Sequence, residues 1–115
     1  MSQLSVVSGK TLSDVTQITS TATGVTVNSN SGVITCFTST LAGVTSVTFA
    51  VTNPLCNANS AVVVSVANYS GTFGTGGSPM VAVGTIAAGS FNVIVYNAHA
   101  SAALAGVLKI SYLVS

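Results

Sequence analysis

Apolar and polar positions alternate along most of this chain, most clearly toward its end. Phe91, Val93 and Val95 interleave with Asn92, Ile94 and Tyr96; further on, Leu108, Ile110, Tyr112 and Val114 interleave with Lys109, Ser111 and Leu113. A period of two, carried by β-branched and aromatic residues, marks a strand with two unlike faces. The same pattern predicts strands near 15–20, 24–28, 32–38, 45–52, 61–68 and 80–86, with the last two at 90–97 and 106–114. Val47, Phe49 and Val51, Val62, Val64 and Val66, Phe91, Val93 and Val95, and Leu108, Ile110 and Tyr112 form the expected inward face. Ile34, Val63, Ile94 and Leu113 are expected to point outward.

Turn residues separate these stretches. Asn28-Ser29-Asn30-Ser31-Gly32 tolerates left-handed backbone. Pro54 lacks a donor, so the strand before it should stop near Thr52. Residues 70–78 are the most glycine-dense stretch and the expected mobile loop; 98–105 has room for one helical turn at most. Strands this short and this regularly punctuated predict an all-β fold, an antiparallel β-sandwich of about eight strands, jelly-roll-like. No helical crossovers are present for a parallel α/β sheet. Residues 1–14 read as an N-terminal arm anchored by Leu4, Val6, Val7 and Leu12, and residues 15–115 as the sandwich domain.

Charge changes the picture most. Of 115 residues only Lys10, Asp14 and Lys109 are charged at pH 7, 3% of the chain, where about a quarter is usual. Thr and Ser instead supply fifteen and seventeen residues. The wealth of β-branched residues argues against disorder. Every apolar run is too short for a membrane helix, and three Tyr with no Trp are a thin supply for the girdles of a membrane barrel. A formal charge of +1 gives no basic patch for nucleic acid or anionic lipid. The first residues lack a basic segment followed by an apolar core, so no secretory signal is expected and the chain is expected to stay in the cytoplasm where it is made until assembled. Sheet edges without charge are templates for pairing, and a surface without charge favours association. The expectation is a homo-oligomer, with Ile94, Leu113 and the arm anchors Leu4, Val6, Val7 and Leu12 in contact with other copies or a larger shell.

Catalytic chemistry is scarce. His99 is the one candidate base, able to orient Ser101 or to titrate at an interface, but its expected role is a structural hydrogen bond between the last two strands. Cys36 reads as a small buried hydrophobe and Cys56 as an exposed loop thiol; both are expected free, because disulfides are uncommon in the cytoplasm. Two cysteines without CxxC spacing and one histidine give no metal site, and no cofactor is expected. Asn68-Tyr69-Ser70 fits a glycosylation sequon that needs a secretory route to matter. Gly74, Gly76 and Gly77 lack the Lys and helix of a phosphate loop. Tyr69, Phe73 and Tyr96 could stack on sugar rings if exposed, which makes a glycan a candidate partner.

Several blocks carry a family resemblance: 23–28 (TGVTVN), 31–35 (SGVIT), 51–53 (VTN), 61–72 (AVVVSVANYSGT), 83–93 (VGTIAAGSFNV) and 96–110 (YNAHASAALAGVLKI). Together they resemble a β-rich module in structural proteins of tailed phages and some large algal viruses. AAGSF and NAHASAAL are the most specific pieces, and the resemblance spans roughly 15–114. It implies a virion module, often at the C-terminal end of longer proteins and trimeric, with no catalysis. This chain departs by starting at Met1 with only an arm ahead of the module, and by carrying Pro54 and Cys56 in a loop that is richer in Thr and Ala in the family. The first departure favours a capsid decoration (cement) protein on the phage head, bound to the major capsid protein and located on the capsid surface. The alternative is a tail or fibre component recognising host-surface glycans through 70–78 and nearby aromatics.

Overall fold

The computed structural model describes residues 14–115. The arm anchors Leu4, Val6, Val7 and Leu12 lie outside the described residues. Eight strands follow in order: β1 (Val15–Thr16), β2 (Val25–Thr26), β3 (Ser31–Thr35), β4 (Thr45–Thr52), β5 (Val62–Tyr69), β6 (Pro79–Ala87), β7 (Ser90–Asn97) and β8 (Leu108–Val114). They form two four-stranded sheets, sheet A in the order β1-β3-β8-β5 and sheet B in the order β2-β4-β7-β6. The sheets pack face to face on one core, the expected sandwich. The described residues contain no helix, and 98–105 holds bends instead of a helical turn.

The six longer strands pair antiparallel, but β1 pairs with β3 and β2 with β4 in parallel. Parallel neighbours need a long crossover. Here a strand of the facing sheet supplies it: the chain runs β1, β2, β3, β4 while switching sheets at each step. The two coils repeat one pattern, an apolar β-branched residue followed by Thr. Val15-Thr16 lies beside Ile34-Thr35, and Val25-Thr26 beside Val51-Thr52. Val25, Ile34 and Val51 are buried, and the Thr residues face outward.

Phe49, Val51, Phe91, Val93, Val95, Leu108, Ile110 and Tyr112 are buried, and Val47, Val62, Val64 and Val66 pack against them, so the inward sets stand as expected. Each fully buried side chain of this size contributes on the order of 1.5–3 kcal/mol. The phase of β3 is a correction. Ile34 faces the core, fully buried. It lies opposite Ile110, and cross-strand partners share a face. With Val33 and Ile34 both apolar, alternation within the strand could not choose between them.

The edges are managed without charge. At one side the edge strands are only two residues long. At the other, β5 and β6 lie beside each other across the two sheets. Each carries a register shift, between Val66 and Asn68 and between Val83 and Ile86. Short edges and bulges are known ways to prevent edge pairing.

Candidate functional site

On the outer face of sheet A, Val63 lies opposite Leu113, which lies opposite Ser31; next to that row Ser65, Ser111 and Val33 are in register. Val63 is 60% and Leu113 51% exposed. Ser65 and Ser111 share a hydroxyl hydrogen bond of 2.8 Å. On the outer face of sheet B, Met80 lies opposite Tyr96, which lies opposite Ser46; the next row is Ala82, Ile94 and Thr48. Met80 is 56% exposed, Tyr96 is also exposed, and Ile94 is half-buried in the sheet centre. Ile94 and Leu113 thus belong to opposite faces of the sandwich and to two separate apolar patches.

The connections at the ends of the strands are tied by buried side-chain amides that the hydrophobic pattern did not reveal. Asn53, just past β4, accepts the Leu55 N–H at Oδ1 (3.0 Å) and donates from Nδ2 to the Ser29 carbonyl (2.9 Å). Asn97, at the end of β7, accepts from the Ser78 and His99 N–H groups at 3.0 and 3.1 Å. Its Nδ2 donates to the Leu41 and Ala102 carbonyls at 3.0 and 2.8 Å. Gln17, at the end of β1, accepts the Phe37 N–H at 3.0 Å and donates to the Thr21 and Thr23 carbonyls, each at 2.9 Å. All three are buried. No buried side-chain polar atom among the described residues lacks a partner.

His99 takes the structural place expected of it. Nδ1 accepts the N–H groups of Ser101 at 3.0 Å and Ala102 at 2.8 Å, which shapes the turn after β7. Ser101 contributes its backbone there, not a nucleophile held by the imidazole. Cys36 is a buried thiol, and burial pushes its pKa up from 9.0 to about 11, so it is not a nucleophile at neutral pH. Cys56 is a correction: it is buried, not exposed, with its S–H directed at the Ser90 and Asn57 carbonyls at 3.6 and 3.8 Å. The loop after Pro54 folds inward because Asn53 and Gly89 hold it: Gly89 N–H donates to the Cys56 carbonyl at 2.8 Å, and Asn53 N–H to the Gly89 carbonyl at 2.9 Å. Among the described residues no three His, Cys, Asp or Glu side chains come together as a metal site.

Tyr69 is likewise corrected. It is buried; its hydroxyl donates to the Gly76 carbonyl and accepts the Ala105 N–H (2.8 Å), so it offers no platform to a sugar. Its ring would lie only 2.5 Å from a Cβ at Gly71, which fixes glycine there. Residues 70–78 form a closed turn, with Gly76 N–H on the Thr72 carbonyl and Gly74 and Gly77 paired. Phe73 stands exposed against the edge of Tyr69, with ring centroids 5.6 Å apart.

A groove of about 520 Å³ opens at another place, between residues 19–21, 37–38, 40–42 and Thr45. Two β-branched residues adopt left-handed backbone beside it, Thr19 at φ 77° and Val44 at φ 50°. Ser20 N–H donates to the Ile18 carbonyl at 2.9 Å, which makes Thr19 the centre of a γ-turn of the strained hand. Such conformations cost on the order of 1–3 kcal/mol each.

Comparison of the chain with protein-family models, curated proteins and solved structures finds no match.

Proposed function

We propose that the protein is a structural component of a viral particle, a capsid decoration protein that acts as a homo-oligomer, a trimer, on the head. One observation carries the reading: cross-strand apolar pairs stand exposed on both outer faces of a sandwich with three charged residues in its whole sequence, Val63 with Leu113 and Met80 with Tyr96. Homo-oligomer interfaces are enriched in such apolar surface and depleted in charge. The resemblance of residues 15–114 to a virion module supports the viral assignment and the trimer. The arm would reach the major capsid protein. No reaction is assigned: the imidazole of His99 is engaged in its own turn and the Cys36 thiol is held protonated.

Light scattering of the full chain tests this. A mass near three times the 11.3 kDa chain is expected, with co-sedimentation on phage heads that is lost on deleting residues 1–12 while the oligomer persists. A single-chain mass at high concentration with no binding to any head would defeat the reading.

A further inference from the structure

The groove beside Thr19 and Val44 is lined by Thr19, Ser20, Thr21, Thr38, Thr40 and Thr45, with Phe37, Leu41 and Ala42 between them. It is an open groove of about 520 Å³, shaped to meet one face of a ligand rather than to enclose it. Two features make it more than a surface dip.

The first is that its walls are held by buried groups. Gln17 grips the Thr21 and Thr23 carbonyls with one end and the Phe37 N–H with the other, so one buried side chain sets the distance between two walls. Asn97 holds the Leu41 carbonyl. Val44 N–H donates to both the Asn97 and His99 carbonyls, at 2.9 and 3.0 Å. A Cβ on Gly43 would lie 2.6 Å from the His99 carbonyl oxygen, so the third wall is pressed against the β7–β8 connection. Both left-handed β-branched residues sit in this frame. Strain of that kind gathers at ligand clamps, where the surrounding structure holds it in place.

The second is what the walls present. Phe37 is 43% exposed. The hydroxyls of Ser20 and Thr45 are used within the protein, on Thr23 and on the Ala42 carbonyl. Those of Thr19, Thr21, Thr38 and Thr40 have no protein partner among the described residues. Among the described residues no charged side chain lines the groove. An aromatic face beside several uncommitted hydroxyls suits a molecule with an apolar C–H face and a rim of hydroxyls. With no cation among these described residues, the carboxylate of an acidic sugar would lose water without gaining a partner from them.

The geometry points to a binding site for a neutral saccharide, with one pyranose ring stacked on Phe37 and its hydroxyls met by Thr19, Thr21, Thr38 and Thr40. This site is distinct from residues 70–78 and from both sheet faces, and it does not depend on the capsid reading. An assembled particle would display it in several copies, so weak single-site binding could add up to firm attachment.

Saturation-transfer NMR on the full chain with lactose, maltotriose and chitotriose tests it, with 3′-sialyllactose as the acidic control. Transfer to the pyranose C–H protons of at least one neutral sugar is expected. Phe37→Ala should weaken it about tenfold, Thr40→Val should weaken it less, and Phe73→Ala should leave it unchanged. Phe37 and Thr40 are exposed, so both variants are expected to fold, which the dispersion of their amide spectra checks. No transfer to any neutral sugar, transfer only to the acidic one, or transfer unaffected by Phe37→Ala would each overturn the assignment. None of these results depends on native mass or head binding.

Discussion

The side chain of Asn97 makes four hydrogen bonds from a fully buried position, and its partners come from three separate connections: Leu41, Ser78, and His99 with Ala102. A buried amide is tolerated only when all its capacity is used. Removing it leaves the Ser78 and His99 N–H groups without their acceptor, and each orphaned donor costs about 1–3 kcal/mol. Asn97→Ala is therefore expected to lose about 3 kcal/mol or more in urea denaturation. Asn97→Asp should fare no better, because it sets a carboxylate oxygen against the Leu41 and Ala102 carbonyls. A loss under about 1 kcal/mol for the alanine variant would refute this role. Cys36 makes a different prediction, in pH. Its thiol is pushed from 9.0 to about 11 by burial, so the unfolded chain gives up its proton first as pH rises. Stability from this group is complete below pH 9 and falls as pH climbs toward 11, by about 2 kcal/mol at pH 11. Denaturation of wild type and Cys36→Ala at pH 8 and pH 11 should show a steeper alkaline loss in the wild type; parallel losses would contradict it.

At the scale of elements, the β7–β8 connection shows how a turn is built without a helix. The Nδ1 atom of His99 accepts from the residues two and three positions on. This is the geometry in which Asn or Asp caps a turn, and Asn Oδ1 sits at the same distance along the side chain as His Nδ1. His99→Asn should therefore keep stability within about 0.5 kcal/mol, whereas His99→Ala should lose about 1 kcal/mol; thermal unfolding of the pair decides, and equal losses would mean the ring acts by packing. The strands differ in how far the sequence revealed them. β4, β7 and β8 bury one face against the core, and their long alternation gave both position and facing. β1 and β2 fall within the expected stretches 15–20 and 24–28 but are only two residues each, because their backbones pair only there, parallel to β3 and β4, a partner choice that alternation does not carry. The facing of Ile34 was set by Ile110 across the ladder, information that lies 76 positions away in the chain. The inward turn of Cys56 and the burial of Tyr69 depend on hydrogen bonds to Ser90, Gly76 and Ala105, which no local pattern encodes. The groove was illegible for the same reason, since its walls are brought together by Gln17 and Asn97. The outward apolar positions Val63, Ile94 and Leu113 were readable, because each stands out of phase with an inward set.

At the scale of the molecule, the two apolar patches lie on opposite faces, and that limits how copies can assemble. If both patches joined copies face to face, each addition would expose a fresh face and the result would be an open stack, because closed rings need contacts that turn through the symmetry angle. A closed trimer therefore uses one face for itself and leaves the other free. The outer face of sheet A is the proposed self-contact: Val63 and Leu113 are aliphatic neighbours flanked by Ser31, with Ser65, Ser111 and Val33 in the next row and the exposed Lys109 in the row beyond. Three copies with this face toward a common axis would hide it and leave sheet B outside. Sheet B offers Met80 and Tyr96, residue types that adapt to a different partner surface and are enriched in interfaces. A lysine in a self-contact repeats around the axis, so like charges meet and lose water together. Leu113→Lys is accordingly expected to drop the native mass to that of one chain while the circular dichroism of the sheets persists, since the side chain is half exposed and outside the core. Met80→Lys should keep the oligomer and lose attachment to heads. The reverse result would exchange the roles of the two faces, and unchanged mass and attachment in both variants would mean that neither face carries the assembly.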